Sequence, residues 1–123
     1  MMRHGQPVLY TADLTGCTLL TAAKPADIAA AFTAVLQSAG ATVVQEMSHL
    51  YPGAGLTCVL VLRESHAVLH TWPETGYAAV DLLTCRADSD LPRVVDCVRA
   101  ALGATQLDVR VIERAQPTPR ADA

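Results

Sequence analysis

The sequence predicts an α+β fold, a two-layer sandwich in which two helices cover one face of a largely antiparallel sheet. Short runs rich in Val, Leu and Thr follow one another closely and are separated by turn-forming residues, as in β-hairpins. Two longer segments repeat apolar residues at helical spacing. Hydrophobic residues make up 51% of the 123 residues. This is enough for one domain with a modest core, and one sheet with two helices is the simplest way to bury it.

The predicted order of elements is β-α-β-β-β-β-α-β. The first helix begins near Pro25, which suits a first turn, and continues at helical spacing to Gly40. The second is capped by Ser89 or Asp90 and ends before Gly103. The six strands are predicted over residues 8–14, 42–50, 56–63, 65–72, 77–85 and around 107–111. The face of the sheet without helices is expected to be wet or to pair with another subunit.

Composition excludes several classes of function. The net charge of −3 argues against a nucleic-acid partner and against a polybasic membrane contact. No stretch approaches the roughly 18 apolar residues of a membrane span, and the first residues lack the apolar core of a signal peptide. We therefore expect a cytoplasmic protein without a nucleic-acid or membrane partner. Residues 115–123, which contain two prolines, are expected to be a flexible tail.

The four cysteines show no paired spacing typical of zinc sites, so no metal is expected. In a reducing cytoplasm they are expected to be free thiols. Cys17, Cys58 and Cys97 are predicted to be buried, as small apolar residues usually are. Cys85 follows a cluster of polar residues and is the one whose position suggests chemistry.

The stretch RESHAVLHTWPE, residues 63–74, holds most of the reactive side chains. His66 and His70 are four positions apart, a spacing found in helical zinc sites. Here, however, the segment lies between strand-like runs and has no Glu after the first His. A second interpretation makes these histidines ordinary strand residues, but it leaves the presence of Glu64, Ser65 and Trp72 beside them without a reason.

A third interpretation rests on strand register. With Pro73–Gly76 as a four-residue loop, Trp72 faces Tyr77, and Cys85 falls opposite Glu64 if the hairpin has no bulge. Alternation of side chains then gathers a polar and aromatic set on one face, close to Ser65. That set comprises His66, His70, Trp72, Tyr77, Asp81 and Cys85. The pattern indicates an active site.

Several motifs identify a family. The sequence closely resembles the prokaryotic S-adenosylmethionine decarboxylases, over most of residues 8–113. Downstream, the resemblance lies in Glu64-Ser65-His66, His70-Thr71-Trp72-Pro73-Glu74, Gly76-Tyr77-Ala78-Ala79-Val80-Asp81 and Thr84-Cys85. Upstream, it lies in Asp13-Leu14-Thr15-Gly16-Cys17, Gly40-Ala41-Thr42-Val43 and His49-Leu50-Tyr51-Pro52.

The resemblance implies a proenzyme that makes its own cofactor. The serine at position 65 attacks the carbonyl of Glu64, and the resulting ester breaks by β-elimination. This leaves dehydroalanine, and its hydrolysis releases ammonia and leaves a pyruvoyl group on the chain that begins at residue 65. Residues 1–64 and 65–123 would remain folded together as one domain. The finished group forms a Schiff base with the substrate and draws electrons from it as carbon dioxide leaves, as pyridoxal does elsewhere.

The same resemblance assigns the remaining roles. His70 matches the processing base and Cys85 the proton donor. Thr57 stands where the family usually has a serine that helps the cleavage. Trp72 and Tyr51 match the aromatic residues that flank adenine, the second often being Phe, and Glu74 matches the carboxylate that binds the ribose. Aromatic faces suit both a purine and a sulfonium cation.

The resemblance implies a homodimer with sites near the subunit contact, and a product used for spermidine and other polyamines. Two departures stand out, Thr57 in place of serine and Arg86 in place of the usual glycine after Cys85. They leave two alternatives open. One is a pyruvoyl-dependent decarboxylase of another cationic amino acid, ornithine or arginine. The other is a processing-defective, non-catalytic homologue.

Overall fold

The computed structural model describes residues 7–84, 91–114 and 117, and its elements follow the predicted order β-α-β-β-β-β-α-β. The strands are β1 Val8–Thr15, β2 Val43–Leu50, β3 Leu56–Leu62, β4 Ser65–Trp72, β5 Tyr77–Thr84 and β6 Gln106–Glu113. The helices are α1 Pro25–Ser38 and α2 Leu91–Leu102. The predicted caps Ser89 and Asp90 and the tail 115–123 lie outside the described residues, apart from Pro117.

The sheet has six strands in the order β2-β3-β4-β5-β1-β6, and every neighbouring pair is antiparallel. Consecutive strands from β2 to β5 form hairpins. β1 then lies between β5 and β6, far from its sequence neighbours. The register of the β4–β5 hairpin is the predicted one, with Trp72 opposite Tyr77 and His70 opposite Ala79. The predicted Cys85–Glu64 pair lies beyond the described part of this register.

Both helices lie on one face of the sheet. Alternate strand residues point toward them and are buried, including Leu60, Leu69 and Val80. In α1, Pro25 occupies the first turn as predicted, and Ile28, Phe32 and Leu36 are among its buried residues. The fold is therefore the predicted two-layer α+β sandwich, with its core between helices and sheet.

Helix α2 corrects one expectation. Its buried stripe consists of Leu91, Val94, Val95, Val98 and Leu102. At about 100° per residue, Cys97 falls roughly 120° from the centre of this stripe, so its side chain is exposed. The prediction that Cys97 is buried was wrong, whereas Cys17 and Cys58 are buried as predicted.

In the described part of the chain, no helix covers the other face of the sheet. That face carries the alternate residues of each strand, among them Val61, His66 and Trp72. We call this surface the open face. Among the described residues, no helix has the length and apolar character needed to cross a membrane.

Candidate active site

Four adjacent strands place some of the predicted site residues in one row across the open face. His49 in β2 lies opposite Thr57 in β3, as expected for this hairpin, and Thr57 lies opposite His70 in β4. His70 in turn lies opposite Ala79 in β5. Because side chains directly opposite one another in a sheet are about 5 Å apart at Cβ, this row brings two imidazoles to either side of one hydroxyl.

Three polar side chains of this row and its neighbouring loop form a continuous chain of hydrogen bonds. The Oγ1 atom of Thr57 lies 2.9 Å from Nδ1 of His70. On its other side, the same oxygen lies 3.1 Å from the phenolic oxygen of Tyr51. Thr57 therefore bridges Tyr51 and His70, and Nε2 of His70 lies outside this chain.

Aromatic rings line the end of the open face. Trp72 stacks on Tyr77, with ring centroids 5.1 Å apart, and lies 6.0 Å from the His70 ring. The Trp72 side chain remains 43% exposed. An exposed indole held by a second ring offers a flat surface for a planar ligand.

Tyr77 is fixed by a residue of another strand. Its hydroxyl donates a hydrogen bond to Oδ1 of Asp13 in β1. This bond, with smaller effects of burial and of the Asp13 and Asp81 charges, raises the pKa of Tyr77 from 10.0 to about 12. The sequence placed Asp13 in a family motif but gave it no partner. The contact depends on β1 lying beside β5, a pairing of distant segments that no local pattern predicts.

The Glu64–Ser65 bond lies in a tight turn. Leu62 pairs with Ser65, so only Arg63 and Glu64 join β3 to β4. Glu64 has φ +70°, and in the described part of the chain only Ala54 is another non-glycine residue with positive φ. Such a conformation is costly for an L-residue and is found more often at functional sites. Glu64 is exposed and Ser65 half-buried, so the bond is accessible.

Ser65 does not meet His70 within one copy of the chain. Five positions of β4 separate them, roughly 16 Å at about 3.3 Å per residue. An odd separation also places the two side chains on opposite faces of the strand. Proton transfer requires approach to about 3 Å.

The two strand histidines do not form a metal site. His66 and His70 share the open face but are four positions apart, roughly 13 Å along an extended strand. A single metal ion needs both nitrogens within about 2 Å. In residues 7–84 and 91–114 there is also no group of three or more His, Cys, Asp or Glu side chains suited to a metal.

The remaining predicted residues lie at the edge of this arrangement or beyond it. Glu74 is exposed in the loop between Trp72 and Tyr77, next to the aromatic surface. Cys85, the expected proton donor, and Arg86 lie outside the described residues, directly after the last residue of β5.

Comparison with known proteins agrees with the family resemblance seen in the sequence. A family model described as S-adenosylmethionine decarboxylase matches residues 9–115. The S-adenosylmethionine decarboxylase proenzyme of Prochlorococcus marinus is 38% identical over 92 residues, which cover 74% of this chain and 73% of that protein. The proenzyme of Thermotoga maritima is 43% identical over 75 residues, covering 61% of this chain and 58% of that protein.

A solved structure extends the likeness to the whole fold. The adenosylmethionine decarboxylase of Aquifex aeolicus matches with a TM-score of 0.81 and 26% identity, covering 97% of this chain and 98% of that one. The family model spans most of the strands and both helices described above. The chain therefore belongs to the S-adenosylmethionine decarboxylase family.

Proposed function

We propose that this chain is a self-processing decarboxylase of S-adenosylmethionine whose cofactor is a pyruvoyl group made from Ser65. Its product, decarboxylated S-adenosylmethionine, supplies aminopropyl groups for spermidine and other polyamines. The observation that carries the proposal is the left-handed Glu64 directly before Ser65, in a two-residue turn of a chain that belongs to this family. The peptide bond that follows this left-handed residue is the one whose cleavage would create the cofactor.

The surroundings of Ser65 fit such a group. Ser65 is the first residue of β4, and the residues that follow it pair with β3 and β5, so the new chain end stays anchored in the sheet after the preceding bond breaks. When present, the pyruvoyl carbonyl withdraws electrons from the substrate's α-carbon as carbon dioxide leaves. The processed molecule would consist of residues 1–64 and 65–123.

His70 is the proposed processing base. It would take the proton of the Ser65 hydroxyl as that oxygen attacks the carbonyl carbon of Glu64. Because about 16 Å separates the two residues within one copy, the base has to come from a second copy. The proposed functional unit is accordingly a homodimer in which the open faces meet and each Thr57–His70 pair approaches the Glu64–Ser65 turn of the other copy. The Ser65 side chain, on the helix-covered face of β4, has to turn toward this interface to meet the base.

The open face itself also supports the proposed dimer. This surface exposes several large apolar side chains, including Met47, Val61 and Trp72. Contiguous exposed apolar surface usually marks an interface. Covering it would exclude water from the cleavage site and from the substrate.

The remaining roles concern the substrate. Trp72 and Tyr51 would hold the adenine ring and attract the sulfonium, and Glu74 would bind the ribose hydroxyls. Cys85 would donate the proton to the α-carbon after carbon dioxide has left. The cytoplasm is the proposed location, supported by the free thiols Cys17 and Cys58.

Release of carbon dioxide from three candidate substrates tests the substrate assignment. Carboxyl-labelled S-adenosylmethionine, ornithine and arginine are each incubated with the purified protein. We expect release from S-adenosylmethionine alone. Its nucleoside can stack on the Trp72–Tyr77 pair, whereas ornithine and arginine have no nucleoside. Preferential release from ornithine or arginine would overturn the substrate assignment, and no release from any would favour a non-catalytic homologue.

Mixed subunits test the exchange of residues between copies. Ser65→Ala removes the nucleophile and His70→Ala removes the base, so neither variant alone should cleave. Co-expression creates mixed dimers in which an intact Ser65 faces an intact His70. We expect the His70→Ala chain to be cleaved in these mixtures. If the His70→Ala chain stays intact although mixed dimers are recovered, His70 of the partner is not the base for Ser65.

A further inference from the structure

We propose that Tyr51 is a positioning residue for self-processing, which acts through Thr57 to keep Nε2 of His70 free as a base. This inference rests on the proposed function and adds to the nucleoside-binding role of the Tyr51 ring. The observation that carries it is the unbroken chain from the Tyr51 hydroxyl through Thr57 to Nδ1 of His70.

The Tyr51 ring is held in place although its side chain is 48% exposed. His49 meets it edge to face, with ring centroids 4.7 Å apart. On another side lies the backbone of Gly55, where an added Cβ would come into ordinary van der Waals contact with the Tyr51 side chain, at 3.7 Å. A hydrogen bond between the Tyr51 amide and the Gly55 carbonyl, 2.8 Å long, closes the loop. The hydroxyl is therefore fixed over Thr57.

The direction of the hydrogen bonds determines what His70 can do. A neutral imidazole carries one proton, on either Nδ1 or Nε2. To act as base through Nε2, His70 must carry its proton on Nδ1 and donate it to Oγ1 of Thr57. In the proposed arrangement Thr57 donates its own proton to the Tyr51 oxygen, 3.1 Å away.

Without that acceptor the direction of the hydrogen bonds between Thr57 and His70 reverses. The Thr57 hydroxyl would donate to Nδ1 of His70, and the imidazole proton would move to Nε2, where it blocks the base. A phenylalanine at position 51 supplies the ring but not the acceptor. In many enzymes an acidic residue orients the histidine that acts as base. Tyr51 has that orienting role here and exerts it through Thr57.

The first test follows cleavage of newly made chains. The uncleaved chain is followed by denaturing electrophoresis during cell-free translation of the wild type, Tyr51→Phe, Thr57→Val and the double variant. We expect Tyr51→Phe to slow cleavage about tenfold, the factor corresponding to one neutral hydrogen bond. Tyr51→Phe should cause no further slowing when Thr57 is already valine. Tyr10→Phe, a hydroxyl removed from a half-buried tyrosine in β1, is the matched control and should cleave at the wild-type rate.

A wild-type cleavage rate in Tyr51→Phe would overturn the inference. So would an equal effect of Tyr51→Phe with and without the Thr57 hydroxyl, since Tyr51 would then act independently of Thr57.

A spectroscopic test does not depend on cleavage. In the Ser65→Ala background, long-range ¹H–¹⁵N spectra show which nitrogen of His70 carries the proton, the signal being assigned by its loss in His70→Gln. We expect the proton on Nδ1 with Tyr51 present and a shift toward Nε2 in Tyr51→Phe. A proton on Nε2 in both would overturn the inference. If the wild type never cleaves but the shift is seen, the proposed function fails and the positioning by Tyr51 stands.

Discussion

At the residue scale, the left-handed Glu64 stores strain beside the bond that is proposed to break. In a Ser65→Ala background, which prevents cleavage, Glu64→Asn should raise the free energy of unfolding by about 0.5–1 kcal/mol, because Asn tolerates positive φ better than Glu. Urea denaturation measures the change. Glu113→Asn, at an exposed position of strand β6, relieves no such strain and should not stabilise. Equal stability of Glu64→Asn and its parent would show that the turn is unstrained.

The hydrogen bond between Tyr77 and Asp13 predicts a pH dependence of stability. Because the pKa of Tyr77 rises from 10.0 to about 12 on folding, the folded chain holds this proton more tightly than the unfolded chain. The stabilisation is present below pH 10 and is lost as the pH rises to about 12. Denaturation across this range should show a steeper loss for the wild type than for Tyr77→Phe. Parallel curves for the two proteins would contradict the assignment.

The sequence predicted the cross-strand partner of a residue where the two residues belong to one hairpin. The pairing of Trp72 with Tyr77 and of His49 with Thr57 follows from hairpin register, and the structure confirms both. The contact between Tyr51 and Thr57 was missed, because it depends on how a five-residue loop turns one side chain. Strand alternation says nothing about such a loop.

At the scale of elements, the turn after β1 packs tightly on the turn before β6. Gly16 has φ +64°, and an added Cβ would lie 2.0 Å from Oγ1 and 3.1 Å from Cβ of Thr105. Rotation of the Thr105 side chain cannot relieve the second contact. We expect Gly16→Ala to lower the free energy of unfolding by about 2 kcal/mol or more.

Gly53→Ala is the control for the backbone part of this loss. Gly53 also has positive φ, +89°, but an added Cβ there meets no atom within 4 Å. Thermal unfolding of both variants should therefore show the larger loss at Gly16. Equal losses would mean that the close approach of the two turns contributes nothing.

The elements themselves were predictable because their signals are local. Apolar periodicity, Pro25 and the glycine-containing loops fix the helices and hairpins, and the strand boundaries differ by only a few residues from those expected. The position of β1 between β5 and β6 was not predicted, because it joins segments about 70 and about 98 positions apart in the chain. The same antiparallel hairpins could be arranged in several strand orders within a sheet.

At the scale of the whole molecule, the two predicted fragments are interleaved. Residues 1–64 supply β1, which lies between β5 and β6 of the other fragment, and β3, which pairs with β4. Three strand pairings and the core between α1 and α2 therefore cross the cleavage point. The cut does not separate two folding units.

This arrangement predicts that the cleaved fragments stay together. Size-exclusion chromatography of the processed protein in native buffer should give one peak that contains both fragments in equal amounts. In concentrated guanidinium chloride the peak should split. Separation of the fragments in native buffer would contradict the interleaved sheet as the basis of their association.

The state of the Glu64–Ser65 bond tests the central claim most directly. Mass measurement of the denatured protein should find two chains, residues 1–64 and 65–123, the second beginning with a pyruvoyl group in place of Ser65. The same measurement on Ser65→Ala should find one intact chain of 123 residues. An intact wild-type chain, or a cut at another bond, would contradict the claim that this molecule makes its cofactor from Ser65.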